Sequence, residues 1–551
     1  MNLNFLKQIQ PAYLMPGINN FIKRIRSCKY ILGLFFLNFF THFLFISRYG
    51  FTSDDWDLLV NYIYSNYPLT NLLLESQRPL QFILFKVASG TFGSYAFAYQ
   101  ILNLLTTSLM ILLVFLVAKS LFKDVFQDPA FYAFLAATLF CVFFNIDELY
   151  AWSSIFPINL AIVLYLSSFY FYINANQKQY YLFLSVFSFL IAVFIYELGI
   201  FLPLLCFFYD LVFNRNWKKS LVFILPLSVY GIIRVTFWFG FGWVSQNRNP
   251  VFSSPQFFQG LISTFVHNFV REFALTGLNI FYGISGLLSL NYAILIVLIV
   301  LDGLCIGLIF KYLIMPGLSG EHPSYNFQNA VKLSCIGIAG FILSTMIISV
   351  GGYAATRHLV FIDFFIFLII VAIAGPVLTK KSAVIPMFCI ILICVLINQG
   401  LFVNWIIAGD ICSSANQSIY ENSKNISPYN YVFINATDLF ISKPNAALKS
   451  TLISDQYNPY LNSRCLSDGA VIAMLSGAGV NTSAIHLIYG NTIYGNPTIV
   501  VLGSVNGSLM YEDMTTRTYY SINRTEYFEF NSTNLLATYH EKERSDFLFQ
   551  H

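Results

Sequence analysis

Apolar runs of roughly 20 residues, the length a helix needs to cross a bilayer, recur through the first four hundred positions of this chain. Charged residues make up 10% of the 551 and hydrophobic residues 57%, where an average soluble domain carries about 25% charge. The pattern is that of an all-α polytopic membrane protein, with the lipid bilayer as its first partner. A net charge of +4 calls for no nucleic-acid partner, and no Walker phosphate loop is present to suggest ATP.

The runs place spans near 30–47, 95–117, 130–146, 154–173, 180–195, 198–213, 220–239, 291–311, 332–350, 358–378 and 384–406, eleven in all. The stretch 256–290 is apolar but carries His267, Arg271 and Glu272, which reads as an interfacial helix or a re-entrant pair. Residues 1–29 are basic, with Lys23, Arg24, Arg26 and Lys29 just ahead of the first run, and no small-residue cleavage site follows that run. Lys119, Lys123, Lys178, Arg215, Lys218, Lys219, Lys311, Lys332, Lys380 and Lys381 then fall on the same side as this basic N-terminus, which the positive-inside rule makes cytoplasmic. An additional span in 256–290 would put Lys380 and Lys381 outside.

The opposite face collects acids. The first outer loop, within 48–94, opens with Phe51-Thr-Ser-Asp54-Asp55-Trp56-Asp57. Carboxylates at a bilayer edge are costly to desolvate, which favours a functional role; the plain alternative is that Ser53 or Asp54 caps a helix through Trp56 to Ile63. Arg78-Pro79 follows, and Pro79 suits a helix first turn, predicting an interfacial helix over 79–92. Arg78 next to a buried carboxylate would hold it ionised. The second outer loop, 147–153, brings Asp147 and Glu148 with Tyr150 and Trp152. Glu197 interrupts an apolar run from 181 to 213, which predicts that it faces a polar cavity. Gly351-Gly352 precedes Arg357-His358, where Arg offers a fork for phosphate, unless Arg357 only snorkels at a helix end. Arg234 offers a second positive charge, or a salt bridge to an acid such as Glu197. A long connection, 240–290, lies on this side too.

From residue 408 the composition turns to Asn, Ser, Thr and Tyr with no spanning run. Residues 408–551 read as an extracytoplasmic α+β or β-rich domain, with strands expected at Tyr431–Ile434 and Thr498–Leu502 and either strand or helix at Ala470–Leu475. Cys412 and Cys465 lie in this exported segment, where disulfides persist, and are a candidate bridge. No Cys/His spacing resembles a zinc site. Seven Asn-x-Ser/Thr sequons begin at Asn416, Asn425, Asn435, Asn481, Asn506, Asn523 and Asn531, a number that an Asn/Ser/Thr-rich segment reaches by chance.

An acidic first outer loop, an Arg-Pro before an interfacial helix, a second acidic outer loop, Glu197-Leu-Gly199 ahead of a Pro-containing span and a late outer Arg357 resemble the GT-C class of membrane glycosyltransferases over residues 30–410. The bacterial O-antigen-modifying glucosyltransferases are the nearest in scale. The resemblance implies a polyprenyl-phosphate sugar donor, a glycan or lipopolysaccharide acceptor, transfer with inversion, and a bacterial inner-membrane location with the site and C-terminal domain facing out. It implies Asp54 or Asp55 as base or acceptor-positioning acid, with Asp57, Asp147, Glu148 and Glu197 supporting. Arg357 would bind the donor phosphate, with His358, Arg234 and Arg78 beside it. No cofactor is certain, and a divalent cation, Mg or Mn, is compatible with the acids. A lipid-linked saccharide transporter or flippase is the alternative, for which ionisable residues near the midplane and broken helices are expected; an outer-face glycan polymerase or ligase is another.

Overall fold

The computed structural model describes residues 16–51, 55, 78–214, 217–240, 257–318, 325–351, 356–378, 380–426, 429–435, 486–489, 492–493 and 496–531. Asp54, Asp57, Ala470–Leu475 and Cys465 lie outside these residues, and so does the proposed disulfide. The helices are α1 (Pro16–Ile46), α2 (Pro79–Phe92), α3 (Ala96–Phe122), α4 (Pro129–Val142), α5 (Glu148–Ala151), α6 (Phe156–Ile173), α7 (Tyr180–Ile195), α8 (Leu202–Tyr209), α9 (Ile224–Gly240), α10 (Phe257–Ser289), α11 (Tyr292–Ile309), α12 (Phe327–Gly351), α13 (Val360–Leu378) and α14 (Val384–Glu421).

Among the described residues eight helical stretches are long and apolar enough to cross a bilayer, or nine if α4 and the stretch Phe144–Ala151, bent by 57° to one another, make one broken span. The expected straight span at 130–146 is therefore broken. No Pro or Gly marks the place; the chain turns extended at Phe143 (φ −73°, ψ 135°). Pro79 occupies the first turn of α2, as its fixed φ allows. The stretch 257–289 is one continuous helix of 33 residues, not a re-entrant pair.

Why these helices adhere follows from their side chains. α3, α4, α6 and α13 bury aromatic and aliphatic residues in the core, including Phe115, Phe131, Phe134, Tyr165, Phe169 and Phe364. α11 does the reverse: Val297, Val300, Leu304 and Leu308 face outward, the arrangement of a helix against lipid. At the end of α8 a π-helical turn, Asp210–Asn214, buries Asp210. Its carboxylate accepts from the Tyr172 hydroxyl and from Asn214 Nδ2 (2.7 Å), while Lys219 Nζ donates to the Tyr172 carbonyl (2.8 Å).

α10 and α14 meet at glycines. A Cβ on Gly400 would overlap the Gly283 carbonyl oxygen, and one on Gly286 would overlap that of Gly400. Small residues let helix backbones approach this closely in a membrane, and Asn404 Nδ2 adds a bond to the Tyr282 carbonyl (2.8 Å).

Among the described residues the C-terminal segment forms a seven-stranded mixed sheet, β1 (Tyr431–Asn435), β2 (His486–Tyr489), β3 (Thr492–Ile493), β4 (Asn496–Val505), β5 (Ser508–Asp513), β6 (Thr518–Asn523) and β7 (Tyr527–Asn531), in the order β6-β5-β4-β3-β2-β1-β7. Both strands expected from sequence are present, within β1 and β4. β1 pairs in parallel with β2 and β7, with Tyr431 opposite His486 and Tyr527. The antiparallel strands β4 and β5 are joined by a turn at Asn506-Gly507, both at positive φ (48° and 80°), the conformation this dipeptide tolerates. Phe433, Val501, Leu509, Ile522 and Tyr527 form the buried apolar cluster of the sheet.

Gly400→Leu should separate α10 from α14. Overpacking typically costs about 1–3 kcal/mol, and here the obstacle is backbone, so the loss is expected at or above the top of that range. Thermal unfolding of the detergent-solubilised protein reads it, with Gly307→Leu, where a Cβ meets nothing within 4 Å, as the tolerated control.

Candidate functional site

The broken segment between α4 and α6 builds the site. Within apolar surroundings every backbone carbonyl that leaves a helix needs another donor, and carboxamides supply them. Asn398 Nδ2 donates to the carbonyls of Val142 (3.1 Å) and Phe143 (3.3 Å). Asn279 reaches Phe144 (3.4 Å), Asn159 reaches Leu149 (2.8 Å), Gln100 reaches Ala151 (2.8 Å) and Asn103 reaches Trp152 (2.8 Å). These five amides come from α3, α6, α10 and α14, and all are buried. Asp55, 2% exposed, accepts the Ser154 backbone N–H at 2.7 Å. It thereby anchors position 55 to the short helical turn ahead of α6.

Glu148, projecting from this segment, clasps Arg357. One oxygen, Oε2, accepts both the Arg357 backbone N–H (3.2 Å) and Nη1 (3.1 Å). The guanidinium stands 4.6 Å from the Trp152 ring centroid, a cation–π contact. Both side chains are under 10% exposed. Arg357 is therefore a buried, ion-paired residue and does not snorkel.

The neighbouring His358 connects this pair to a second. Its Nε2 lies 2.9 Å from the Tyr196 hydroxyl, and the Tyr196 ring carries the Arg78 guanidinium 4.0 Å from its centroid. Arg78 Nε bonds Glu197 Oε2 (2.8 Å), while Arg234 Nη2 bonds Oε1 (3.0 Å) and the Tyr230 hydroxyl donates to the same oxygen (3.2 Å). Two guanidinium groups from distant parts of the chain thus converge on one carboxylate. The side chains of Arg78 and Arg234 are 33% and 25% exposed, far more open than Arg357.

Asp147 turns away from these cations. Its Oδ2 accepts from the Trp405 indole N–H (2.9 Å). Tyr49 lies beyond the end of α1, and burial, with the nearby Asp147 charge adding, pushes its hydroxyl well above the ordinary phenol range. Asp54 and Asp57 fall outside the described residues. Glu148, Arg357, His358, Arg78, Glu197 and Arg234 are joined through the contacts above and the chain step from 357 to 358, with Asp147 adjacent in chain to Glu148 and Asp55 held at Ser154.

The residues that sequence reasoning did not single out are the amides Gln100, Asn103, Asn159, Asn279 and Asn398, and the partners Tyr196 and Trp405; Trp152 was recognised in its loop, but not as a partner of Arg357. Lone carboxamides inside apolar runs were the available signal. The buried carboxylates Asp210, Asp302 and Asp363 were also passed over; Asp363 accepts from Asn145 at 3.5 Å.

Among the described residues no three His, Cys, Asp or Glu side chains converge as a metal site. Of the described acids, Asp55 accepts a backbone N–H, Glu148 a guanidinium and Asp147 an indole. No protein-family model, curated protein or solved structure matches the chain.

Breaking a buried ion pair by removing one partner costs about 3–5 kcal/mol. Glu148→Ala should destabilise the protein by that order, since it strands Arg357. Adding Arg357→Met should recover part of the loss, because replacing both charges by apolar groups is often neutral. Unfolding midpoints of the two variants against wild type check this; equal midpoints for the single variant and wild type would count against the pair.

Proposed function

We propose that the chain is a membrane glycosyltransferase of the GT-C kind. It would move a sugar from a polyprenyl-phosphate donor to a glycan acceptor, such as lipopolysaccharide, with inversion. The observation that carries the reading is the convergence of Arg78 and Arg234 on Glu197, next to the Glu148–Arg357 pair. A departing polyprenyl phosphate is anionic, and preorganised guanidinium groups stabilise charge that grows during the reaction. The accepting hydroxyl must lose a proton, and in this reading an acid of the first outer loop takes it; Asp55 of that loop bonds Ser154, two residues beyond the Trp152 that stacks on Arg357.

The geometry refines the assignment of roles. Arg78 and Arg234 are the open cations, so they meet the donor phosphate, with His358 behind them. Arg357 is held by Glu148 and keeps the His358 segment in place. Asp55 accepts the Ser154 N–H; in this reading it positions the first loop, and Asp54 takes the proton. In this reading eleven spans place the N-terminus in the cytoplasm, and the C-terminal sheet faces outside a bacterial inner membrane. No step is routed through a metal. Transport of a lipid-linked saccharide is the second reading. The break at Phe143 and the buried Asp302 within an apolar span favour it.

The test is sugar transfer from a panel of polyprenyl-phosphate sugars by the purified protein. Asp54→Asn is expected to lower turnover by the 10²–10⁴-fold typical of a lost general base. Arg78→Ala and Arg234→Ala should weaken transfer, and Asp55→Asn should do so with loss of stability. Binding of lipid-linked saccharide without transfer from any donor would replace this reading by transport.

A further inference from the structure

Asp302 lies in α11, within the 27-residue apolar span Tyr292–Leu318. It is the eleventh residue of that span, ~15 Å from its start at 1.5 Å per residue, and so near the middle of a ~30 Å hydrocarbon core. Its neighbours Leu301 and Leu304 face outward, 40% and 61% exposed, while Asp302 itself is fully buried against α14. Gln399 of α14, also fully buried, donates Nε2 to Asp302 Oδ1 at 2.9 Å. The other two polar atoms of the pair, Asp302 Oδ2 and Gln399 Oε1, have no partner. With the carboxyl ionised, both are acceptors and nothing in the pair can satisfy either.

We propose that Asp302 is a proton-binding site inside the bilayer, its carboxyl held as the acid in a two-bond ring with the Gln399 carboxamide. A proton taken from water binds Oδ2 and neutralises the carboxylate. The new O–H donates to Gln399 Oε1 while Nε2–H continues to donate to Oδ1. One proton thus satisfies both orphaned atoms and removes a charge from hydrocarbon, where each unsatisfied polar group is costly. The ring clasps α11, otherwise turned to lipid, onto α14. The groups around it are few. Cys305 lies one turn along α11, and Lys311 lies in the π-helical turn beyond that helix. α1, which also touches α11, carries His42, stacked on Tyr150 and edge-on to Phe402 of α14.

Infrared difference spectroscopy of the full-length protein in lipid nanodiscs at neutral pH tests this, and none of its arms depends on sugar transfer. Subtracting Asp302→Asn from wild type should leave a protonated-carboxyl C=O band. The variant should keep the wild-type melting temperature, because an amide can still accept at Oδ1. Gln399→Leu should retain the acid band but move it to the higher frequency of an acid without a hydrogen bond. A difference spectrum showing a carboxylate stretch instead would overturn the proposal. If that stretch also shifted when sodium replaced potassium, the site would be a metal-cation site. An acid band that does not move in Gln399→Leu would overturn the ring.

Discussion

The carboxamide-to-carbonyl bonds around residues 142–152 are the constraint on which the rest of the site depends. A helix that stops inside an apolar bundle leaves carbonyls without water, and each would cost several kcal/mol if left bare. Gln100, Asn103, Asn159, Asn279 and Asn398 take up these carbonyls from four different helices. Because the donors are fixed on helices, the irregular segment is fixed as well. Glu148 is therefore presented to Arg357, Trp152 to its guanidinium, and the Ser154 N–H to Asp55. The same bonds knit α3, α6, α10 and α14 together, so fold and site share one set of interactions.

The charges follow a gradient of burial. Glu148 and Arg357 are closed off, and their geometry is two bonds to a single oxygen, with an indole beneath the cation. Such a pair gives little net stability, yet it fixes where residue 357, and with it His358, can sit. The Arg78–Glu197–Arg234 group is more open, and its arginines come from the start of α2 and from α9. An open pair of guanidinium groups suits an anion that arrives and leaves. A closed pair suits a support. The proposal assigns the donor phosphate to the first and positioning to the second on that physical ground.

Much of this was legible in the sequence, but unevenly. Apolar runs located most of the helices to within about a turn, but α1 begins at Pro16 and α14 ends at Glu421, both well outside the expected spans; Pro79 marked the start of α2. The acids and bases between the apolar runs were recognisable because charge is rare here. What could not be read was pairing. Arg78 and Glu197 are 119 residues apart, and Glu148 and Arg357 are 209 apart, so only the packing of the bundle decides which acid meets which base. The possible link between Arg234 and Glu197 was visible as a charge argument, and the structure makes it. The break after Val142 was hidden because Cys141 to Leu149 contains no Gly or Pro. Its cause lies in amides far along the chain. Asp302 was overlooked because a single acid in a strongly apolar run disappears in the average hydropathy that defines the span.

The most direct test of the central claim is hydrogen–deuterium exchange of the protein in nanodiscs, comparing wild type with Gln100→Leu, Asn103→Leu and Asn159→Leu. If the amides hold the broken segment and the segment holds the site, exchange should accelerate in peptides covering 143–155 and in those carrying Tyr196 and Arg357. The C-terminal sheet should remain unchanged. Unaltered exchange over 143–155 in all three folded variants would contradict the account, since the segment would then be held by something else.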